Sequence, residues 1–227
     1  MKKIVMNPLC AGGILIVVLA LFWAGGFLLF PGDTLLFYED GSDIFTYTAY
    51  ALAFVVACRY AGDFISTGKT GTLCAMLFLE IVAVLREMGA QHWLTRHDTT
   101  AIKLKFFTNP NNPLHEKIIS GCVIACVGGT ILWLFFKYLK RIIQGFFKVN
   151  PLYWTVVTFG GTLFLLKFAD RWPSHYAKLT GEPYSPYVIK WFTLFEEAPE
   201  ACLPLMFALG VIQHHYLLQK QLPRAQK

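Results

Sequence analysis

The stretch EIVAVLREMGAQHWLTRHD, from Glu80 to Asp98, begins inside an apolar segment and leaves it with seven ionisable side chains. Moving a charged group into hydrocarbon costs free energy, so ionisable residues at such a place indicate a functional site with polar partners. The stretch therefore predicts a membrane protein whose polar side chains gather at one face of the bilayer.

The composition of the chain agrees with this class. Of its 227 residues, 56% are hydrophobic and 15% are charged, and the mean hydropathy is +0.49, whereas soluble domains have about a quarter of their residues charged. At about 20 apolar residues per crossing, the length allows about six helices in a single transmembrane domain over 1–227. We read the net charge of +6 as a topology signal and expect no nucleic-acid partner.

The predicted fold is all-α, a polytopic bundle of six transmembrane helices. The apolar segments lie at about 9–30, 44–60, 72–91, 118–136, 153–168 and 187–217. The first run is longer than the apolar region of a signal peptide, about 7–15 residues, so it is predicted to be a retained helix. Cleavage near Ala24-Gly25 is the alternative.

Polar connections separate these segments. The short AGDFISTGKTG, from Ala61 to Gly71, reads as a turn. The connection over 90–117 contains an alternating apolar and basic segment suited to the bilayer surface and then NPNNP, a strong turn signal. A basic turn follows the fourth helix, and DRWPSHYAKLTGEPYSP, from Asp170 to Pro186, reads as a proline-punctuated connection after the fifth.

The distribution of lysine and arginine sets the orientation. With both termini in the cytoplasm, the inner segments hold eleven of these cations and one acid, Asp63, while the other thirteen acids fall in outer connections or outer helix portions. We therefore predict cytoplasmic termini.

Two predicted helices carry carboxylates on one face. Glu80 and Glu87 are two turns apart, and Glu196 and Glu200 are one turn apart. At a rise of about 1.5 Å per residue, Glu80 and Glu200 reach about the middle of the bilayer. Since lipid does not solvate carboxylates, we expect both faces to turn inward, toward each other or toward a wet cavity.

The candidate catalytic residues are Glu80, Arg86, Glu87, Glu197 and Glu200. The structural alternative is that Arg86 and an adjacent acid neutralise one another and only lock two helices together.

A second polar cluster on the predicted outer face combines imidazole and carboxylate side chains. Its candidate metal ligands are His92, His97, Asp98, Asp170 and His175. Such groups ligate zinc and similar divalent ions, or act as acid and base in hydrolysis. Their spacing matches neither H-E-x-x-H nor E-x-x-H, so solvated or headgroup-contacting residues are the alternative.

Three short motifs resemble those of an uncharacterised family of small polytopic bacterial inner-membrane proteins. They are the LREM…H of Leu85–His92, the KLKFF of Lys103–Phe107 and the EEAPE of Glu196–Glu200. The resemblance covers about 39–214. It implies a multi-pass protein of the bacterial inner membrane and no particular activity, since none is established for that family.

Three functions fit these features. The first is a membrane-embedded hydrolase, or another modifying enzyme, acting on a lipid or glycolipid headgroup, with the glutamates as acid/base groups or metal ligands and Arg86 and Arg171 orienting an anionic group. The second is a cation or proton transporter that uses the deep glutamates. The third is a non-catalytic subunit whose intramembrane charges dock a membrane-protein partner.

Overall fold

The computed structural model describes residues 2–25, 42–90, 104–182 and 184–225, and in these residues the regular structure is helical, with no strand. The α-helices are α1 (Lys2–Val5), α2 (Cys10–Trp23), α3 (Ser42–Arg59), α4 (Ala61–Ser66), α5 (Thr70–Glu87), α6 (Leu104–Thr108), α7 (Leu114–Phe147), α8 (Pro151–Thr180) and α9 (Pro186–Ala225). The predicted all-α class is confirmed.

Three of these helices are long and apolar enough to cross a membrane: α7, α8 and the Trp191–Lys220 part of α9. The shorter α2 is also apolar. The helices α3 and α5 overlap the second and third predicted crossings, and each has eighteen residues. The length and hydropathy of these helices support the prediction of a membrane protein. The number of six crossings and the cytoplasmic position of both termini stay predictions.

Two helices continue through segments that the sequence analysis assigned to connections. The predicted basic turn after 136 is helical to Phe147, and the predicted connection after 168 is helical to Thr180, with Pro173 inside the helix. Those predictions were wrong because hydropathy falls where charges begin, whereas lysine and arginine are good helix formers. Charge ends an apolar segment without ending a helix.

The true boundaries of α8 follow local capping chemistry. Asn150 caps its start by accepting a hydrogen bond from the backbone N–H of Leu152, and Pro151 occupies the first turn, where a missing N–H is harmless. Gly181 ends the helix in the left-handed region, at φ +78°, and its N–H donates to the carbonyl of Ala177.

The AGDFISTGKTG segment is also more ordered than predicted. It forms α4 before turning at Gly68, which has φ +66°, a conformation that glycine adopts without steric cost. The NPNNP turn, by contrast, is found where it was predicted, between α6 and α7. In this turn the Asn112 amide donates to the carbonyl of Phe106 over 2.8 Å, and Lys117 Nζ donates to the carbonyl of Asn109 over 2.7 Å.

The chain forms two compact units. The first comprises Met1–Asp63 and Arg141–Lys227, and the second comprises Phe64–Lys140. Their boundaries fall within α4 and α7. A single transmembrane domain over 1–227 stays a prediction.

In the first unit, α9 packs against α2, α3 and α8. On α3, Ala53 and Ala57 are fully buried and share one face. Small side chains of this kind let two packed helices approach closely. Met206 and Cys202 of α9 form a fully buried cluster with Ala11 of α2.

The start of the chain lies against the C-terminal half of α9. The side-chain amide of Gln213, fully buried, donates to the carbonyl of Val5 over 2.9 Å and accepts from the Thr155 hydroxyl over 2.8 Å. Lys2 Nζ lies 5.4 Å from the centre of the Tyr216 ring. These contacts fix α1 to the end of α9 that leads to the C-terminus.

In the second unit, the first turn of α5 contacts the C-terminal half of α7. The hydroxyl groups of Thr72 and Tyr138 are 2.7 Å apart, and Lys137 Nζ donates to the Thr72 hydroxyl over 3.2 Å. The same ammonium group lies 4.2 Å from the ring centre of Trp133, which gives it a cation–π partner.

Candidate functional site

Glu80 lies inside α5, in the run LFLEIVAV. Its exposure is 9%, and neither carboxylate oxygen has a hydrogen-bond partner in the part of the chain that the structure describes. A buried carboxylate without a donor or a cation is strongly destabilising. No described residue offsets the desolvation cost of this side chain, which makes Glu80 a candidate functional residue.

Arg86 and Glu87 lie nearly two helical turns beyond Glu80, at the end of α5. The Arg86 guanidinium Nη1 is 3.9 Å from a Glu87 carboxylate oxygen, and the two side chains are 44% and 17% exposed. A contact at this distance between adjacent, partly exposed groups contributes little to stability. Arg86 also takes part in a further interaction, so its charge has more than one neighbour.

The glutamates of α9 differ from Glu80. Glu200 is 8% exposed and lies next to the buried Ala201, but it engages an interaction partner, as do Glu196 and Glu197. These residues belong to the first unit and Glu80 belongs to the second. The predicted convergence of the two carboxylate faces stays a prediction.

Sequence analysis missed a second group of buried polar atoms around the NPNNP turn. Asn112, Glu116 and Ser120 are 4%, 6% and 2% exposed, and each has a buried oxygen without a hydrogen-bond partner in the described residues. The amide of Asn112 is oriented by its bond to Phe106, so the unpartnered atom is the acceptor Oδ1. The spacing of four between members is the available signal, but the sequence analysis places Glu116 in the polar connection over 90–117.

Only two of the five candidate metal ligands, Asp170 and His175, lie within the described residues. His92, His97 and Asp98 lie outside them, and within them no group of three or more His, Cys, Asp or Glu side chains could hold a metal ion. Asp170 and His175 are both on α8, where a separation of five residues places them about 140° apart around the helix. Asp170 also pairs with Lys167 over 3.2 Å. The complete metal site stays a prediction.

His175 instead lines a surface groove of about 310 Å³ on α8. The groove is bounded by Phe164, Lys167, Phe168, Arg171, Trp172 and His175. It is wide open, and its wall combines apolar rings with cationic groups.

A third polar group, also missed, joins α4 to α9. His215 Nδ1 lies 2.7 Å from the Asp63 carboxylate, and Gln219 Nε2 lies 2.8 Å from the other ring nitrogen. The Tyr60 ring packs on the imidazole with centroids 4.6 Å apart. The sequence analysis places Asp63 on the inner side as its one acid, and His215 lies near the inner end of the last predicted helix, 187–217. This shared side was the available signal.

Comparison with protein-family models, with curated proteins and with solved structures found no match. The candidate sites therefore depend on their own geometry and chemistry.

Proposed function

We propose that this protein is a multi-pass protein of the bacterial inner membrane and modifies a lipid or glycolipid headgroup, as a hydrolase or a related enzyme. Its acid/base groups would come from Glu80, Glu87, Glu197 and Glu200, with Arg86 orienting an anionic part of the substrate. A divalent metal such as zinc, held by His92, His97, Asp98 and neighbouring ligands, would assist a hydrolytic reaction.

The observation that carries the proposal is the Glu80 carboxylate, which is buried in an apolar helix and has no hydrogen-bond partner for either oxygen among the described residues. A leucine there would avoid the desolvation cost, so the carboxylate is best explained by chemistry that it performs. A headgroup substrate is favoured because the bilayer itself supplies it at the ends of the predicted crossings.

The predicted topology has support from the contacts of α1. Gln213 and Tyr216 of α9 contact Val5 and Lys2, so the first residues and the last part of α9 share one end of the first unit. Six crossings bring the two termini to the same side, and the lysine and arginine bias assigns that side to the cytoplasm.

Lipid profiles of cells with and without the gene test the proposal, with the Glu80→Gln variant as the third strain. We expect a headgroup change that requires the gene and is lost in the variant, although the variant is present in the membrane at the normal level. Metal analysis of the purified protein tests the zinc component. Identical lipid profiles in all three strains would overturn the enzyme proposal.

A transporter of protons or cations is the second candidate, and the isolation of Glu80 favours it. A buried carboxylate such as Glu80, which has no hydrogen-bond partner among the described residues, can accept and release a cation in turn, as transport requires. Proteoliposomes loaded with a pH-sensitive dye distinguish the two functions. A flux that Glu80→Gln abolishes and Glu87→Gln retains would indicate transport.

A further inference from the structure

The groove on α8 is formed by two adjacent rows of side chains. Phe164, Phe168 and Trp172 follow one another at intervals of four, and so do Lys167, Arg171 and His175. Residues at this spacing lie on one side of a helix, so an aromatic row runs beside a basic row along the same surface. The aromatic rings are exposed to 71%, 47% and 38% in chain order.

The rows begin at the end of the apolar part of α8. From Leu152 to Phe168 the helix contains one charged residue, Lys167, and these 17 residues span about 25 Å, close to the thickness of the hydrocarbon layer. Arg171 and His175 lie one and two turns beyond Lys167. With α8 crossing the membrane, Phe164 would face acyl chains, and Arg171 and His175 would lie at the depth of lipid headgroups.

The charges in the groove are unequally satisfied. Lys167 pairs with Asp170, and Trp172 donates its indole N–H to the Tyr184 hydroxyl over 3.0 Å. Arg171 and His175 have no polar partner in the described residues. A guanidinium fork with an imidazole one turn away suits a phosphate group, because charge-assisted hydrogen bonds to phosphate are strong and directional.

We propose that this groove binds an anionic phospholipid, with its phosphate on Arg171 and His175 and an acyl chain along Phe168 and Phe164. A free phosphate ion would make no use of the exposed aromatic row, whereas a lipid uses both rows at once. The inference goes beyond the proposed reaction, because a lipid bound here is retained whether or not it is also a substrate. It rests on α8 crossing the membrane.

Native mass spectrometry of the protein in an uncharged detergent tests this site. We titrate phosphatidylglycerol and phosphatidylcholine of the same chain length and expect the first to bind about tenfold more tightly. Arg171→Gln combined with His175→Gln should reduce phosphatidylglycerol binding to the phosphatidylcholine level. Lys178→Gln removes one charge from the same helix outside the groove and should leave the preference intact.

Further variants separate the contributions of the two rows. Arg171→Lys keeps the charge without the fork and should give an intermediate loss, and Phe164→Ala should weaken binding of the lipid. Soluble glycerol phosphate should not compete at lipid concentrations. Equal binding of the two lipids by the wild-type protein would overturn the proposal, and so would unchanged binding in the double variant or effective competition by glycerol phosphate. If the double variant does not fold, Arg171→Lys and Phe164→Ala still test the groove, because unchanged phosphatidylglycerol binding in both would overturn the proposal.

Discussion

His215 and Asp63 are 152 residues apart in the chain, yet the imidazole Nδ1 and the carboxylate Oδ2 lie 2.7 Å apart. Their side chains are 22% and 27% exposed, so the contact is shielded but still reached by water. It attaches α4 to the C-terminal half of α9, and the Tyr60 ring covers one face of the imidazole.

Replacing either partner should lower the free energy of unfolding by about 1 kcal/mol, since a partly shielded, charge-assisted hydrogen bond is lost. Asp63→Asn, His215→Ala and the double variant form a cycle in which the double loss is smaller than the sum of the single losses. Thermal unfolding in detergent, followed by tryptophan fluorescence, measures the three values. Lys178→Ala, at an exposed position of the same unit, is the control and should change little. Strictly additive losses would show that the two side chains do not interact.

Glu80→Leu should stabilise the protein while removing its function. The substitution eliminates a buried carboxylate that has no hydrogen-bond partner in the described part of the chain, and we expect a gain of about 1–3 kcal/mol in the free energy of unfolding. Glu87→Leu is the matched control, because that side chain is more exposed and contacts Arg86, and it should give no gain. Denaturation of both variants in mixed micelles gives the comparison. A Glu80→Leu protein that is less stable than the wild type would indicate that the carboxylate has a structural partner.

Two glycines should respond in opposite ways to alanine. A Cβ at Gly145 would overlap the ring of Tyr153, whereas a Cβ at Gly160 has nothing within 4 Å. We expect Gly145→Ala to cost about 1–3 kcal/mol through overpacking, and Gly160→Ala to gain up to about 1 kcal/mol through helix propensity. Melting temperatures of the two variants provide the measurement. Equal changes in melting temperature for the two variants would contradict the close packing of the Tyr153 ring on Gly145.

The convergence of the carboxylate faces of α5 and α9 is open to a direct test. In a background with the six native cysteines replaced by alanine, Glu80→Cys combined with Glu200→Cys should crosslink with a short bismaleimide in membranes. The two single variants provide the background signal. Crosslinking no stronger than in the single variants would show that Glu80 and Glu200 do not lie close together. Glu80 would then act without the glutamates of α9.

Sequence alone determined the properties that depend on local composition. The apolar segments predicted an all-helical membrane protein, and NPNNP predicted the turn before α7, because hydropathy and turn chemistry are properties of neighbouring residues. The ends of α7 and α8 were missed for the same reason: charged side chains interrupt hydropathy at a point where the backbone continues as a helix.

Only the tertiary structure decided which polar groups have partners. Seen in the sequence, Glu80 and Glu200 are equivalent acids in apolar helices. Within the residues that the structure describes, Glu200 has an interaction partner and the Glu80 carboxylate has no hydrogen-bond partner. Asp63 contacts a histidine from the far end of the chain. Helices that are distant in the sequence bring such interaction partners together when they pack. The free energy of a buried charge therefore depends on the side chains around it in the fold rather than on its neighbours in the sequence.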